Sequence, residues 1–239
     1  MLGALYFPIG TEEKPIPFDS LFIPYIYREI YFDGVYIDVL NGRKDMTIID
    51  VGSNIGITVN HFRPYAKKVY AIEPSPEHFE ALKMNKEYNH WDNVELFNVA
   101  MADKDGETTL TQNTMNRTMN TIALGKKIDE KTYTSNIPNA QVLPANQFYE
   151  NQYTVKTVAF DTFMEQNKID TVDFCKFDVE GAEDLILRSE GFRKIADRIK
   201  AIEIEFHFPS WPQLADYMVS LGYKARRYPC DAIVILFSR

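Results

Sequence analysis

Residues 48–56 read IIDVGSNIG. The β-branched run that begins at Met46 stops at a glycine, which reads as a short buried strand ending in a tight turn. Residues 55–65 then read as a helix that ends near Pro64. Strand, glycine turn and helix together present backbone N–H groups and a helix N-terminus at the carboxyl edge of a sheet.

The same alternation extends outward. KVYAIEP reads as a second strand. Residues 76–89 read as a helix, with Ser75 as N-cap, Pro76 in the first position and Glu77 and Glu80 near the start. NVELFNVAM reads as a third strand, so the connections are right-handed crossovers in a parallel sheet. Residues 111–154 break the rhythm: they are rich in Asn, Gln and Thr and show neither period. The alternation then resumes through VKTVAF, a helix at 161–167, TVDFCKFD, a helix at 182–189, IKAIEIEF and a helix at 212–221. YKARRYPCDAIVILF closes the chain as two strands around Pro229, Cys230 and Asp231, and this hairpin requires one antiparallel strand.

The 239 residues suit one α/β domain with an appendage. Residues 1–45 form an aromatic-rich leader, with a hairpin turn expected at Asp33 and Gly34, that packs on the core, covers a site or contacts a second copy in a homo-oligomer. Residues 46–239 form the main domain, and 111–154 are an irregular insertion in it, of the kind that serves as a lid. Within the insertion, Asn113, Asn116, Arg117 and Asn120 are candidates for polar contact with a hydroxylated substrate.

A net charge of −8 argues against nonspecific nucleic-acid or anionic-membrane binding. The pairs Lys67–Lys68, Lys126–Lys127 and Arg226–Arg227 read as solvated surface. Cys175 lies in an apolar run and reads as a small buried hydrophobe; neither it nor Cys230 has metal spacing. Without signal-peptide features or a bilayer-length apolar run, the expectation is a soluble cytoplasmic protein with no membrane partner.

The glycines discriminate between ligands. In a dinucleotide register that starts at Gly52, Asn54 and Ile57 stand where the second and third glycines belong. No lysine follows the turn, which excludes a P-loop. The pattern is D-x-G-x-x-x-G, from Asp50, Gly52 and Gly56. An acid two residues before the first glycine disfavours a pyrophosphate and suits a ligand with a positive amino group, such as S-adenosylmethionine. Glu73 ends the second strand, where a carboxylate can accept from both ribose hydroxyls; its bland alternative is a cap for the next helix.

IIDVGSNIG, VYAIEPSPEHFEAL, NVELFNVAMAD and KFDVEGAE, in this order, resemble the FkbM-type S-adenosylmethionine-dependent methyltransferases. The resemblance covers roughly residues 47–206 without the insertion, and DVEGAE is its most specific part. It implies a doubly wound, mostly parallel seven-stranded Rossmann-like sheet with a C-terminal antiparallel hairpin. It further implies that Asp50, Gly52, Ser53, Asn54 and Gly56 surround the methionine end of the cofactor. Glu73 would hold the ribose, beside Pro74 and Ser75. Asn98, Val99 and Ala100 would border the adenine, with Asp103 a weaker candidate. Asp178 would lie near the reacting methyl.

Candidates for proton transfer cluster at two strand ends: Asp178 and Glu180 at one, Glu203, Glu205 and His207 at the other. Strand alternation puts the last three on one face and Ile202, Ile204 and Phe206 on the other. His207 is the best single base, since its ordinary pKa is near neutrality; its bland reading is an idle strand-end histidine. His61, His78 and His90 read as structural or surface. Asp178, Glu180, Glu205 and His207 could also offer a divalent-cation site, although no spacing signature demands a metal. Asp184 is explained by the helix dipole, and Glu183 stays open between that role and the site. The leading expectation is an O-methyltransferase for a hydroxyl of a small molecule or sugar. The alternatives are an NAD-dependent oxidoreductase and a non-catalytic cofactor-binding protein of the same fold.

Overall fold

In the computed structural model, which describes residues 23–32, 34–113, 120–122, 149–207, 209–228 and 232–239, the run around IIDV is β1 (Met46–Val51). It lies at the centre of a seven-stranded sheet. Chain order gives β2 (Ala66–Ile72), β3 (Val94–Phe97), β7 (Phe174–Phe177), β8 (Ala201–Phe206), β9 (Lys224–Arg227) and β10 (Ile233–Ser238) as the other members. Their order in space is β3-β2-β1-β7-β8-β10-β9. The pairs β3–β2, β2–β1, β1–β7 and β7–β8 are parallel. The strand β10 runs antiparallel to both β8 and β9, as the closing hairpin requires. The order reverses at β1, and there the carboxyl ends of β1 and β7 open a crevice.

Helices cover both faces. One face buries Ile48, Val69 and Phe174 under α3 (Ile57–Phe62) and α4 (Pro76–Tyr88), through Val59, Phe62 and Leu82. The other buries Ile49, Cys175 and Ile202 under α5 (Phe160–Gln166), α6 (Glu183–Leu187), α7 (Glu190–Ile195) and α8 (Trp211–Ser220). Strands buried on both faces are apolar at successive positions, which is why IIDV and FCKF look like runs rather than alternations. Ser75 caps α4 as expected, its Oγ accepting from the His78 N–H at 3.5 Å. Among the described residues, no helix is long and apolar enough to cross a membrane.

Three expectations change. The third strand breaks in two. Asn98 turns the chain by donating to the carbonyls of Glu73 (2.8 Å) and Pro74 (3.2 Å). Beyond it, β4 (Ala100–Ala102) joins a second sheet, ordered β4-β6-β5, with β5 (Gly106–Asn113) and β6 (Tyr149–Ala159). The expected irregular insertion therefore begins and ends in paired strands, with Thr111 opposite Gln152 and Leu110 opposite Tyr153. The small sheet buries few apolar side chains (Leu110 and Val155 among them), so polar residues fill it and no hydrophobic period appears. Asn116 and Arg117 lie outside the described residues, as do Lys126, Lys127 and Cys230. Last, the described part of the leader is helical. Gly34, with φ +67°, lies between α1 (Ile23–Tyr31) and α2 (Ile37–Leu40) instead of closing a hairpin. Ile30, Val35, Tyr36, Val39 and Leu40 pack into the same cluster as Ile48 and Phe174, so the leader completes one core face.

Candidate active site

The turn after β1 is held by backbone. The N–H groups of Gly52 and Ser53 both donate to the Ile72 carbonyl at 3.0 Å. Gly52 has φ +83°, and a Cβ there would lie 1.9 Å from the Asp178 carbonyl oxygen. Only glycine allows this approach of β1 to the end of β7. Gly56, at φ +94°, would place a Cβ 2.7 Å from Leu82 and 2.8 Å from Trp91. Its absence lets α4 pack on the start of α3.

Asp50 is fully buried (0% exposed). It accepts from the Thr58 hydroxyl, and its other oxygen lies 3.7 Å from Lys176 Nζ. Burial raises its pKa, against the pull of Lys176. Its side chain faces Thr58 and Lys176 and is not part of the cleft wall. Glu73 is placed as a two-pronged acceptor. One oxygen accepts from Asn54 N–H and the other from Ser75 N–H, both at 2.8 Å. Each oxygen keeps a lone pair for a further donor. His78, read from the sequence as structural or surface, lines the cleft, with Nδ1 3.8 Å from a Glu73 oxygen.

The ends of β7 and β8 supply the charged group. Parallel register sets Asp50, Lys176 and Glu203 side by side on β1, β7 and β8. Lys176 Nζ donates to the Gly52 carbonyl (3.1 Å) and to Asp178 (3.2 Å). Burial would lower its pKa, but Asp178 and Asp50 outweigh it, so the ammonium is held charged. After β7 the chain turns through two positive-φ residues, Glu180 (φ +52°) and Gly181 (φ +105°). This turn brings the acids round to His207, which follows β8. His207 Nδ1 lies 2.7 Å from Glu183 Oε1, and Glu183 is only 2% exposed. Nε2 faces three carboxylates: Glu180 at 3.4 Å, Glu205 at 3.7 Å and Asp178 at 3.8 Å. Donor atoms of Asp178, Glu180 and His207 all lie within 4.8 Å of one another, close enough to share one cation.

This crowding perturbs Asp178, Glu180, Glu205 and His207. Burial, with the neighbouring acids, pushes Glu180 up to about 8 and Glu205 up to about 7. Burial would raise Asp178 too, but Lys176 and His207 hold it below its ordinary value. Burial would lower His207, but Glu180 and Glu183 outweigh it and raise the imidazole well above its ordinary value. Perturbed titratable groups that converge in a cleft mark a functional site.

These side chains line one cleft of about 760 Å³, within the range of small-molecule sites. Gly52, Ser53, Asn54, Glu73, Pro74 and Ala100 line it near the ends of β1 and β2, while Asp178, Glu180, Glu203, Glu205 and His207 line it near the ends of β7 and β8. Gly56, Ser75, Asn98, Val99 and the exposed Asp103 are not among the lining residues. Asn120 lines the cleft, as do Ile26, Ile30 and Val35 of the leader.

Sequence reasoning missed Lys176 and left Glu183 open. The signal for Lys176 was present: a lysine inside the buried run DFCKF needs partners, and the acids supply them. Glu183 separates from Asp184 only in three dimensions. Asp184 is exposed and pairs with Arg188 four residues on, as the bland reading holds.

Residues 50–225 match the methyltransferase FkbM domain family. Over 101 residues the chain is 43% identical to an uncharacterised RNA methyltransferase of Oceanobacillus iheyensis, covering 42% of this chain and 22% of that one. The match thus spans about a fifth of that relative's length. Solved structures of similar fold include a precorrin-6y C5,15-methyltransferase of Geobacter metallireducens, at 10% identity and TM-score 0.46 over 86% of this chain and 87% of that chain. An rRNA methylase of Streptococcus thermophilus aligns at 12% identity and TM-score 0.49, over 84% and 90%. The family match removes the nicotinamide-dependent alternative. This chain belongs to the FkbM methyltransferase family.

Proposed function

We propose that this methyltransferase uses S-adenosylmethionine and methylates a hydroxyl of a small molecule or sugar, with His207 as general base. The observation that carries this reading is the Glu183–His207 pair. Glu183 holds Nδ1 at 2.7 Å and turns Nε2 toward Asp178, at the carboxyl edge of the sheet.

The residues present fit the cofactor. Glu73 keeps a free lone pair on each oxygen, which suits two neighbouring ribose hydroxyls. Gly52, Ser53 and Asn54 of the turn line the cleft beside it. When bound, S-adenosylmethionine supplies an electrophilic methyl group on a positively charged sulfur. The chain's own work is to align a nucleophile, exclude water and move a proton. His207 Nε2 takes the proton of the acceptor hydroxyl, and Glu183 stabilises the resulting imidazolium through Nδ1. A positioned base contributes about 10²–10⁴-fold. Ile26, Ile30 and Val35 supply an apolar wall that keeps water from the reacting atoms.

A small acceptor fits better than a polyanion. The chain carries a net −8, and acids crowd the acceptor end of the cleft. Nucleic-acid affinity is dominated by positive charge facing phosphates. The test is calorimetric titration with S-adenosylhomocysteine, followed by transfer of a labelled methyl to a panel of hydroxyl compounds and to RNA. Micromolar or tighter binding and label in a small hydroxyl compound are expected. Label in RNA alone would sink the acceptor reading, and failure to bind S-adenosylhomocysteine would sink the cofactor reading.

A further inference from the structure

The acceptor end of the cleft carries more negative charge than the chain itself neutralises. Asp178 Oδ1 and Glu180 Oε2 are buried and have no hydrogen-bond partner among the described residues. Glu203 lines the same cleft, is 3% exposed, and its Oε2 is likewise unpartnered. Of the cationic side chains that line the cleft, Arg28 comes from α1, while Lys176 and His207 stand among the acids and are committed. Lys176 donates to Gly52 and Asp178 and lies 3.7 Å from Asp50. His207 is committed through Nδ1 to Glu183, and its Nε2 lies 3.4 Å from Glu180 Oε2 and 3.8 Å from Asp178 Oδ1 without a hydrogen bond to either. Buried acid oxygens without a hydrogen-bond donor are costly and persist where something else completes them.

We propose that the acceptor completes them: it is an amine-bearing alcohol or sugar whose ammonium group sits among Asp178, Glu180 and Glu205, beside the hydroxyl that is methylated. This rests on the methyltransferase reading above and adds to it the substrate's charge.

The geometry suits an ammonium. It has three N–H donors, and three carboxylate oxygens converge within 3.4–3.8 Å of one imidazole nitrogen. Charge-assisted hydrogen bonds of this type are the strong ones. A divalent ion at the same place would take the Nε2 lone pair as a ligand and leave no base. A phosphate would meet carboxylate oxygens and be repelled. The charge also links binding to protonation. Without a guest, Glu180 and Glu205 relieve their crowding by holding protons up to about 8 and about 7. An ammonium placed among them lets the two glutamates ionise.

The test uses the full chain saturated with S-adenosylhomocysteine. Paired probes, ethanolamine with N-acetylethanolamine and glucosamine with N-acetylglucosamine, differ only in the amine charge and its acetyl cap. The amine of at least one pair should bind about tenfold more tightly than its acetylated partner, the ratio that one charge-assisted contact supplies. The double variant Glu180→Gln, Glu205→Gln should lose that preference while its S-adenosylhomocysteine affinity matches the parent and its melting stays cooperative. Asp184→Asn, an exposed acid outside the cleft, should keep it. Equal or absent binding within both pairs overturns the proposal, as does survival of the preference in the double variant. Stoichiometric binding of Mn²⁺ alone, seen as loss of its free electron-spin signal and reversed by Glu180→Gln, would assign the site to a metal and also overturn it. Failure of S-adenosylhomocysteine to bind strikes the underlying methyltransferase reading instead, and the acceptor proposal falls with it.

Discussion

The two ends of the cleft are built differently. At the cofactor end, backbone does the positioning: Gly52 and Ser53 N–H groups grip the Ile72 carbonyl, and both oxygens of Glu73 are held by main-chain donors. At the acceptor end, side chains from β7, β8 and α6 converge on His207, and several of their oxygens have no partner among the described residues. A backbone-built end is rigid before any ligand arrives. An end built from unsatisfied charge depends on its guest. The cofactor end should therefore respond to mutation by losing structure, and the acceptor end by changing its electrostatics.

The largest effect expected is at Gly52. Gly52→Ala forces a Cβ to within 1.9 Å of the Asp178 carbonyl, so β1 and the end of β7 must separate. Such overpacking in a closed core typically costs about 1–3 kcal/mol or more, and the left-handed φ adds to it. The variant should melt well below the parent and lose S-adenosylhomocysteine binding, as differential scanning calorimetry and titration would show. A variant with parental melting and affinity would mean that the turn is not rigid, and the contrast between the two ends would collapse.

Glu73→Gln probes the same end more gently. The amide still accepts through its oxygen, but its nitrogen now faces the Asn54 or Ser75 N–H and cannot accept from it. S-adenosylhomocysteine affinity should fall about tenfold or more, with one charged acceptor lost to the ribose and one backbone donor left unpaired. Unchanged affinity in calorimetry would remove Glu73 from the cofactor site.

Glu183→Gln sharpens the acceptor end. Removing the charge on Nδ1 should lower the pH at which His207 titrates, followed by the imidazole signals in NMR, while leaving S-adenosylhomocysteine affinity unchanged. Asp184→Asn, one residue away and exposed, should leave the same titration where it is. If both variants behave alike, Glu183 is a helix-start acid and nothing more.

The contrast also explains why one end is legible in the sequence and the other is not. The cofactor end is local in the chain: D-x-G-x-x-x-G and the Glu73 strand end lie within 24 residues, and each glycine has a steric reason. The period of two along β8 likewise places Glu203, Glu205 and His207 on one face from sequence alone. The Glu183–His207 contact joins positions 24 residues apart through a positive-φ turn, and no sequence period encodes it. The leader hides its helices because aromatic and β-branched residues weaken helix propensity, while burial against Ile48 and Phe174 overrides it. The split of the third strand depends on Asn98, whose two bonds to the chain at Glu73 and Pro74 are tertiary.

The smallest expected effect is a pH dependence of the ligand-free protein, and its sign follows from the acids. Glu180 and Glu205 hold protons up to about 8 and about 7 when folded, against an ordinary 4.5. Raised carboxyl groups stabilise the folded state fully below pH 4.5 and lose that contribution as pH rises through 7 to 8. His207, raised above 6.5 by Glu180 and Glu183 against burial, acts in the same direction. Asp178, held below 3.8 chiefly by Lys176 and His207 against burial, acts oppositely but only on acidification beneath that value. Glu29 of the leader and Lys176 of β7 also face this cluster and shift Glu205 in opposite directions, up and down. His61, which burial lowers to about 4, opposes Glu180, Glu205 and His207 below its ordinary 6.5, so the slope expected from this cluster is downward from about pH 6.5 to 8. The melting temperature should fall by a few degrees across that window, since roughly 1 kcal/mol corresponds to about 2–4 °C for a chain of this size. Glu180→Gln with Glu205→Gln should flatten the slope, and a rising or flat parental curve would contradict an acceptor end built from uncompensated charge.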